Sequence, residues 1–450
     1  MALTPDHQLV LGILASQGTV SSAELQRATT KSQPTISRIL ADLGPQVVVT
    51  GRARATRYAL GKSIHGRPSQ HSLWWTDEGG RRTDVGTLTY LANDTVHVHS
   101  SVLGDHAGAA LPWYLSPLKA EGFLGRLAGR TMASLGVEAD PERWSIETIL
   151  YAALQVHDAP GALTMGVQDH AGVALRLSAD SLTADLDTAA ARVATTLPVG
   201  SSAGGEQPKF LAFMAGWGHV IVKFTPPLRS PGGQRWSDLL HAEHLACSTL
   251  HENGIDAAVS QIVRTTERTY LISKRFDRIG PLGRRHVVSI GKAHEAFVQG
   301  AHRNWMETSL ALWHRGSLSA EQADTVSIVQ NFGRLIGNTD MHSGNLSLFV
   351  PMNGVRRGRF ELAPVYDMLP MRWRPDPLQG GVQDYATFEP DDAALASRAV
   401  PLAHVFWDRV ANCNDVSNQL REISTQMAHR VGAQGGKVIS ALSRSRGLVG

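Results

Sequence analysis

Residues 337–349, GNTDMHSGNLSLF, form the most informative segment of this 450-residue chain. It places Asp340, His342 and Asn345 within six positions, and an alternating apolar run follows directly. Alternation with a period of two predicts a strand after Asn345. A carboxylate and an amide at the entrance to a strand indicate a loop that presents oxygen-bearing side chains for chemistry.

A second carboxylate follows this loop after a reversal of the chain. The turn PMNGVRRG (351–358) precedes RFELAPVYDMLP (359–370), which carries Asp367 after another short strand. In protein kinases the catalytic-loop Asp is followed five positions later by an Asn that binds metal, and a further Asp lies downstream. Asp340, Asn345 and Asp367 have this order, and Mg²⁺ prefers such hard oxygen ligands. The pattern predicts the C-terminal lobe of a kinase-like fold.

The region upstream has the element order of a kinase N-terminal lobe. Small residues in LPVGSSAGGEQPKFLAFMAG (197–216) predict a loop whose backbone N–H groups suit an anion. The predicted strand GHVIVKF (218–224) carries Lys223, and the helix after it carries Glu243 among apolar neighbours. Because a buried carboxylate needs a cation, the sequence predicts a Lys223–Glu243 ion pair. TYLISKRFDR (269–278) then predicts a strand and a hinge.

The first 60 residues predict a separate helical module. Thr4 and Pro5 begin one helix, a Ser21/Glu24 capping box begins a second, and a third begins at Ser32. Two strands around a glycine turn follow, and the whole resembles bacterial winged helix-turn-helix domains, whose recognition helix and basic wing bind DNA. A winged helix that binds protein is the alternative. The predicted DNA-binding residues are Gln33, Thr35, Ser37, Arg38, Arg52, Arg54 and Arg57.

The composition of the chain indicates a globular protein that does not depend on disulfides. With 42% hydrophobic and 18% charged residues the composition is globular, and two cysteines are too few for a disulfide framework. No apolar run approaches the length of a membrane span, so a cytoplasmic, non-membrane protein is expected.

GKSIHGRPSQ (61–70) predicts a linker. His97 and His99 share a predicted strand face, which solvent exposure explains better than metal binding.

Taken together, the motifs resemble the HipA family of bacterial serine/threonine kinases, the toxins of HipBA-type toxin–antitoxin systems. The N-terminal module narrows the resemblance to the HipH/YjjJ-like members. The expected fold class is α+β, with an N-terminal winged helix domain followed by a HipA-like, two-lobed protein-kinase-like fold. The expected boundaries are 1–62 for the winged helix, 63–198 for a HipA-like N-terminal subdomain, 199–280 for the nucleotide-binding N-lobe part and 281–450 for the helical C-lobe.

The resemblance implies roles for individual residues. Asp340 is expected to be the catalytic base, Asn345 and Asp367 the magnesium ligands, and Lys223 a phosphate contact that Glu243 positions. A serine in the glycine-rich loop is a self-phosphorylation site in this family, and counting back from the lysine after the loop gives Ser202. The residues expected to bind nucleotide are Ser202, Ala203, Gly204, Gly205, Lys209, Lys223, Lys274, Phe276 and His342.

The chain departs from kinase patterns at three positions. Pro208 has no N–H, so the glycine-rich loop has one donor fewer for phosphate. Asn338 and Thr339 precede Asp340, where eukaryotic kinases carry an arginine that senses activation-loop phosphate. Met-Leu follows Asp367 in place of Phe-Gly. These changes leave the predicted base and metal ligands in place.

The resemblance implies an ATP-dependent serine/threonine protein kinase of toxin–antitoxin type that uses ATP and Mg²⁺. Its expected partners are DNA, a protein substrate with a serine or threonine acceptor, a HipB-like antitoxin and a second copy of the chain. A transcription regulator that uses the kinase fold as a nucleotide sensor is the alternative, which the complete set of Asp340, Asn345 and Asp367 disfavours. A metal-dependent nuclease is the third alternative, and it would not need Lys223 and Glu243 in that order.

Overall fold

A computed structural model describes residues 3–51, 53–133, 135–156, 158–166, 175–196, 207–376 and 381–446. The chain divides into two compact units, one formed by residues 1–121 and 128–170 and the other by residues 122–127 and 171–450. No helix in the described ranges is both long and apolar enough to span a membrane.

The first unit begins with three helices and a two-stranded hairpin. These elements are α1 (Pro5–Gln17), α2 (Ser22–Thr29), α3 (Gln33–Leu43), β1 (Val47–Thr50) and β2 (Arg57–Leu60). The Thr4 and Ser21 side chains accept hydrogen bonds from the backbone N–H groups of α1 and α2, as the capping signals predict. Val10, Leu14, Leu25 and Ile36 are fully buried in one core. The element order is the predicted one, while the winged helix assignment stays a prediction.

Residues 61–70, the predicted linker, are mostly exposed but are held at Lys62, Ile64 and His65. The Lys62 N–H donates to the Tyr90 carbonyl at 2.9 Å, and the His65 N–H donates to the Glu147 carboxylate at 2.9 Å. Ile64 is 0% exposed. Gly, Ser and Pro in this segment predict a linker, and its single aliphatic side chain is nevertheless buried. The Gly61 N–H also donates to the Gln46 carbonyl at 2.9 Å, so the segment is bonded both to the three-helix module and to the rest of the first unit.

The remainder of the first unit is an antiparallel sheet with helices. Its strands lie in the order β6, β5, β4, β3, β7. His97 on β5 is buried and His99 is exposed, so only one of the two histidines matches the predicted solvated face. The elements are β3 (Gln70–Thr76), β4 (Arg82–Leu91), β5 (Thr95–His99), β6 (His106–Gly108), α4 (Gly122–Ala133), α5 (Ile146–Gln155) and β7 (Leu163–Met165), with α4 divided between the two units.

The second unit begins with a five-stranded sheet, in the order β11, β12, β10, β9, β8. Its elements are β8 (Arg176–Leu177), α6 (Leu182–Thr195), β9 (Lys209–Met214), β10 (Gly218–Phe224), α7 (Pro231–Glu252), β11 (Ser260–Arg264) and β12 (Thr269–Lys274). Val220, Val222 and Phe224 pack with α6 on one face. Because side chains alternate along a strand, Lys223 points to the opposite face, toward α7. β8 and α6 precede residue 199, the predicted start of the nucleotide-binding part.

A mainly helical part completes the second unit. Its central helices pack around buried aromatic side chains, and the Trp407 indole N–H donates to the Leu335 carbonyl at 3.1 Å. The strands β15, β16 and β17 form a small antiparallel sheet that carries the loop 337–346. The elements are β13 (Arg278–Ile279), β14 (Gly283–Arg284), β15 (Val287–Ser289), α8 (Ile290–Phe297), α9 (Trp305–His314), α10 (Ala320–Leu335), β16 (Ser347–Phe349), β17 (Glu361–Leu362), α11 (Asp392–Leu395), α12 (Val400–Ala411) and α13 (Asn418–Arg446).

Replacing Ile64 by Ala is expected to loosen the attachment of the three-helix module. Removing a buried Ile side chain to Ala costs about 2–5 kcal/mol, so local opening of residues 61–70 becomes more frequent. Limited trypsin digestion followed by mass spectrometry should show faster cleavage after Lys62; the Arg67–Pro68 bond resists trypsin in every variant. Ser63→Ala, at an exposed neighbouring position, is the matched control. Equal cleavage rates for the two variants would contradict the packed attachment.

Candidate active site

A buried ion pair joins the sheet of the second unit to α7. The Lys223 ammonium donates to both carboxylate oxygens of Glu243, at 2.6 and 2.7 Å. Both side chains are buried, with 9% and 5% of their surfaces exposed. This is the pair that the lysine in an apolar strand and the glutamate in an apolar helix predict. In this arrangement Glu243 fixes the position of the Lys223 ammonium.

Asp367 provides a second carboxylate for the same lysine. Lys223 also donates to Asp367 Oδ1, although the two residues are 144 positions apart in the chain. Asp367 has a φ of +52°, a left-handed conformation that non-glycine residues rarely adopt. Such backbone strain is concentrated at functional sites, where the surrounding structure holds it in place. The structure therefore brings together Lys223, Glu243 and Asp367 around one ammonium.

Lys223, Glu243 and Asp367 shift the pKa values of one another in different directions. Burial raises the pKa of Glu243, and the nearby Asp367 carboxylate acts in the same direction. Burial would also raise the pKa of Asp367, but the charges of Lys223 and Lys209 and the hydrogen bonds to the carboxylate together outweigh burial and lower that pKa to about 2. Burial opposes the charge on Lys223, and the two carboxylates nevertheless raise its pKa above the ordinary value. At neutral pH Asp367 is thus ionised and Lys223 is protonated.

Asn338 connects Asp340 with the Asp367 segment. The Asp340 N–H donates to the Asn338 side-chain oxygen at 3.0 Å, and the Asn338 amide donates to the Asp367 carbonyl at 3.4 Å. The Asn345 amide donates to the Asp340 carbonyl at 2.8 Å, which closes the loop on itself. Sequence reasoning noted Asn338 only as a departure from other kinases. Its burial, at 5% exposed, and its two bonds make it part of the site.

Two aromatic side chains hold the same loop from outside. The Trp305 indole N–H donates to the His342 carbonyl at 2.9 Å, and the Tyr366 hydroxyl donates to the Gly344 carbonyl at 2.9 Å. The His342 side chain is exposed, and its Nδ1 accepts from the Gly344 N–H at 3.0 Å. Sequence reasoning missed Trp305 and Tyr366 as supports. Only the position of Tyr366 beside Asp367 in the sequence gave a signal for either.

The predicted phosphate loop is only partly described. Ser202, Ala203, Gly204 and Gly205 lie outside the described residues. Pro208 is buried, and its carbonyl accepts from the Phe224 N–H at 3.1 Å. Lys209 on β9 lies directly across from Lys223 on β10, so the two lysines share one face of the sheet. This face therefore carries two lysines, together with the Glu243 and Asp367 carboxylates that pair with Lys223.

The predicted hinge residues differ in their environments. Lys274 is exposed, and its backbone N–H donates to the Val259 carbonyl at 2.9 Å. The Phe276 ring packs against Phe349 and Tyr366, with ring centroids 5.8 and 5.5 Å apart. Phe276 therefore packs against the strand that leaves the catalytic loop and against the residue before Asp367.

The donor set near the loop fits a magnesium ion. Asn345 offers an amide oxygen and Asp367 an ionised carboxylate, and Mg²⁺ completes its shell with waters and phosphate oxygens. Within the described ranges, no three His, Cys, Asp or Glu side chains form a group that could hold a metal. A transition-metal centre built from three such ligands is therefore absent from these ranges.

The predicted DNA-binding residues lie mainly on the surface of the three-helix module. Thr35 is half-buried, and its hydroxyl lies 2.9 Å from the Ser32 hydroxyl. Arg57 donates to the Glu24 carboxylate at 3.3 Å, so this arginine has a partner within the module. Arg52 lies outside the described residues. The exposed predicted residues are Gln33, Ser37, Arg38, Arg54 and Arg57.

Comparison with known proteins identifies relatives over nearly the whole chain. Residues 201–434 match the HipA-like C-terminal domain family, and residues 67–173 match the middle domain of YjjJ-like toxins. The chain is similar to Toxin YjjJ of Escherichia coli (strain K12), with 33% identity over 434 residues that cover 93% of this chain and 96% of that protein.

A solved structure shares the fold. One chain of the Shewanella oneidensis MR-1 complex of HipA, HipB and operator DNA superposes with a TM-score of 0.54 at 17% identity. The match covers 82% of this chain and 97% of that chain. This likeness confirms the predicted HipA-like, kinase-like fold.

Replacing Lys223 by Met is expected to lower the free energy of unfolding by about 3–5 kcal/mol, because two carboxylates lose their cation. Adding Glu243→Met should recover part of this loss, since one buried charge is then removed. Denaturant unfolding of the three proteins measures both effects.

The matched control is Lys292→Met, which removes an exposed lysine that is 2.8 Å from Glu295. Its cost should stay below about 1 kcal/mol. A Lys223→Met variant as stable as this control would show that the buried cluster is not held by the ammonium.

Proposed function

Because the chain belongs to the family of HipA-like toxins, as its motifs predict, we propose that it is an ATP-dependent kinase that phosphorylates serine or threonine side chains of a protein. The observation that carries the proposal is the buried cluster of Lys223, Glu243 and Asp367. A lysine fixed by a helix glutamate beside a metal-binding aspartate is the arrangement that kinases use for ATP phosphates. A nuclease would not need such a lysine.

In this proposal each residue of the site has a separate task. Lys223 and Lys209 attract the ATP phosphates to their shared sheet face. Asp340 accepts the proton of the acceptor hydroxyl, and the bonds of Asn338 and Asn345 to its backbone hold it in place. Phosphoryl transfer depends mainly on positioning and charge stabilisation, which such a rigid loop supplies.

Asn345 and Asp367 would hold magnesium, which supplies positive charge to the phosphate oxygens when it is bound. Asp367 suits this task because its pKa is lowered and its carboxylate is ionised at neutral pH. Lys274 and Phe276 would line the adenine end of the site, and His342 its exposed side.

Ser202 is proposed as the self-phosphorylation site. It precedes Lys209 by seven positions in the glycine-rich loop. A phosphate there adds up to two negative charges beside the ATP phosphates, so it should disfavour nucleotide binding.

The three-helix module is proposed to bind DNA. Its exposed third-helix and hairpin residues provide polar contacts for base edges and arginines for phosphates. The Shewanella HipA complex contains HipB and operator DNA. By analogy, we propose that this chain acts with operator DNA, a HipB-like antitoxin or a second copy of itself, and that its fused module takes over part of the antitoxin's DNA contact.

Incubation with labelled ATP and Mg²⁺ tests the kinase proposal. The wild-type chain should label itself, and Asp340→Asn should reduce the rate by about 10²–10⁴, the usual contribution of a general base. Ser202→Ala should remove the label from the glycine-rich loop. Asp415→Asn, at an exposed aspartate, is the matched control.

Two outcomes would change the conclusion. ATP binding without transfer to the chain or to candidate proteins would favour the nucleotide-sensing regulator. The absence of ATP binding would reject both a kinase and a nucleotide sensor.

Fluorescence anisotropy with a labelled duplex of mixed sequence tests the DNA proposal. Arg38→Ala and Arg54→Ala should weaken binding and each reduce the salt-dependence slope by about 1, because each removes a phosphate-neutralising charge. Arg303→Ala, which removes an exposed arginine of the second unit, should leave binding unchanged. Equal binding by all three variants and wild type would exclude this face as the DNA contact.

A further inference from the structure

Asp238 is a buried carboxylate of α7 that has no part in the Lys223 cluster. It is 1% exposed and accepts four hydrogen bonds. The donors are the Tyr385 hydroxyl at 2.7 Å, the Ser417 N–H at 2.8 Å, the Ser417 hydroxyl at 2.6 Å and the Gln234 amide at 3.1 Å. Tyr385 and Ser417 belong to distant parts of the chain. Asp238 thus fastens α7 to two C-terminal segments.

Arg235 strengthens the same attachment from the preceding turn of α7. Its guanidinium donates to the Trp373 carbonyl at 2.9 Å and to the Gln383 carbonyl at 2.6 Å. It also lies 3.7 Å from the centroid of the Tyr385 ring. The chain downstream of Asp367 is therefore held to α7 by a carboxylate, a guanidinium and an aromatic ring.

The geometry of a helix links this attachment to the candidate active site. Glu243 follows Asp238 by five residues on α7, which corresponds to about 7.5 Å along the helix axis. A helix moves as a rigid element, so a shift at Asp238 is transmitted to Glu243. Glu243 in turn holds the Lys223 ammonium at 2.6 Å.

The attachment at the other end of α7 is weaker. Glu252, in the last turn, pairs with Arg409 at 3.1 Å on the surface, where 55% of the Glu252 side chain is exposed. Surface pairs of this kind contribute little to stability, whereas buried charged groups with several donors are costly to disrupt. Among the polar contacts of α7 outside the Lys223 cluster, those of Asp238 are therefore the stronger attachment.

We propose that Asp238 is a positioning residue that, through α7, keeps Glu243 against Lys223, with Tyr385 as its main partner downstream of Asp367. The effect of Asp238 on phosphate transfer rests on the proposed kinase function. The effect of Asp238 on the Lys223–Glu243 pair does not rest on that function, and the two effects are measured separately.

The first measurement follows the accessibility of Lys223 without any nucleotide. Acetic anhydride labels lysine amines, and peptide mass spectrometry gives the labelling of Lys223 relative to that of Lys292 in the same molecule. In Asp238→Asn and Tyr385→Phe this ratio should rise about tenfold, as expected from the loss of a charge-assisted hydrogen bond that holds the pair closed. In the double variant the labelling ratio should rise by less than the product of the two single increases, because both substitutions remove the same Asp238–Tyr385 interaction.

Two control variants separate positioning from a general loss of stability. Val431→Ala removes part of a fully buried side chain of α13 and should lower the melting temperature without changing the labelling ratio. Glu252→Gln removes the exposed pair of α7 and should change neither quantity. An unchanged ratio in the folded Asp238 and Tyr385 variants, or an equal rise in Val431→Ala, would overturn the positioning role.

The second measurement compares ATP binding and self-labelling of the same variants. The Asp238 and Tyr385 variants should bind Mg-ATP more weakly or turn it over more slowly than Glu252→Gln. A wild-type chain that binds no ATP would reject the kinase proposal, and the labelling ratio would still decide whether Asp238 positions Glu243. If the wild-type chain transfers phosphate and the Asp238 and Tyr385 variants do so with the same kinetics, Asp238 has no role in the reaction.

Discussion

One buried ammonium, that of Lys223, is the interaction on which the arrangement of the second unit depends. It lies between two carboxylates from distant parts of the chain, Glu243 on α7 and Asp367 after β17. Each carboxylate would be unfavourable at its position without a cation, and the lysine would be unfavourable without them. The sheet, the long helix and the strained segment around Asp367 are consequently fixed together by charge pairing at one point.

The remaining contacts of the site act by limiting movement around that point. Asn338, Trp305 and Tyr366 hold the backbone of the catalytic loop, and Asp238 holds α7. Most of these bonds involve backbone carbonyls or N–H groups, so they constrain the chain itself and do not only orient side chains. In the proposed phosphate transfer, a backbone held in this way would need little reorganisation as charge develops, which is the condition for strong electrostatic stabilisation.

Several parts of this arrangement can be predicted from sequence and others cannot. The Lys223–Glu243 pair is predictable because each residue stands out in an apolar element, and the Asp340–Asn345 spacing is local. The contact of Lys223 with Asp367 depends on tertiary folding over 144 residues. Asn338, Trp305 and Asp238 act through backbone or distant partners, so their residue types carry no signal. In the predicted linker, the Gly, Ser and Pro content gives no signal that its single Ile is buried.

The burial of Ile64 has a consequence for the direction in which the N-terminal module faces. A module on a loose tether samples many orientations, whereas a buried side chain and backbone bonds in the connecting segment restrict them. If the third helix binds a DNA duplex as proposed, the orientation of that duplex relative to the sheet of β3–β7 would consequently be restricted. Exchanging the module for one from another protein would require its supporting surface to be exchanged as well.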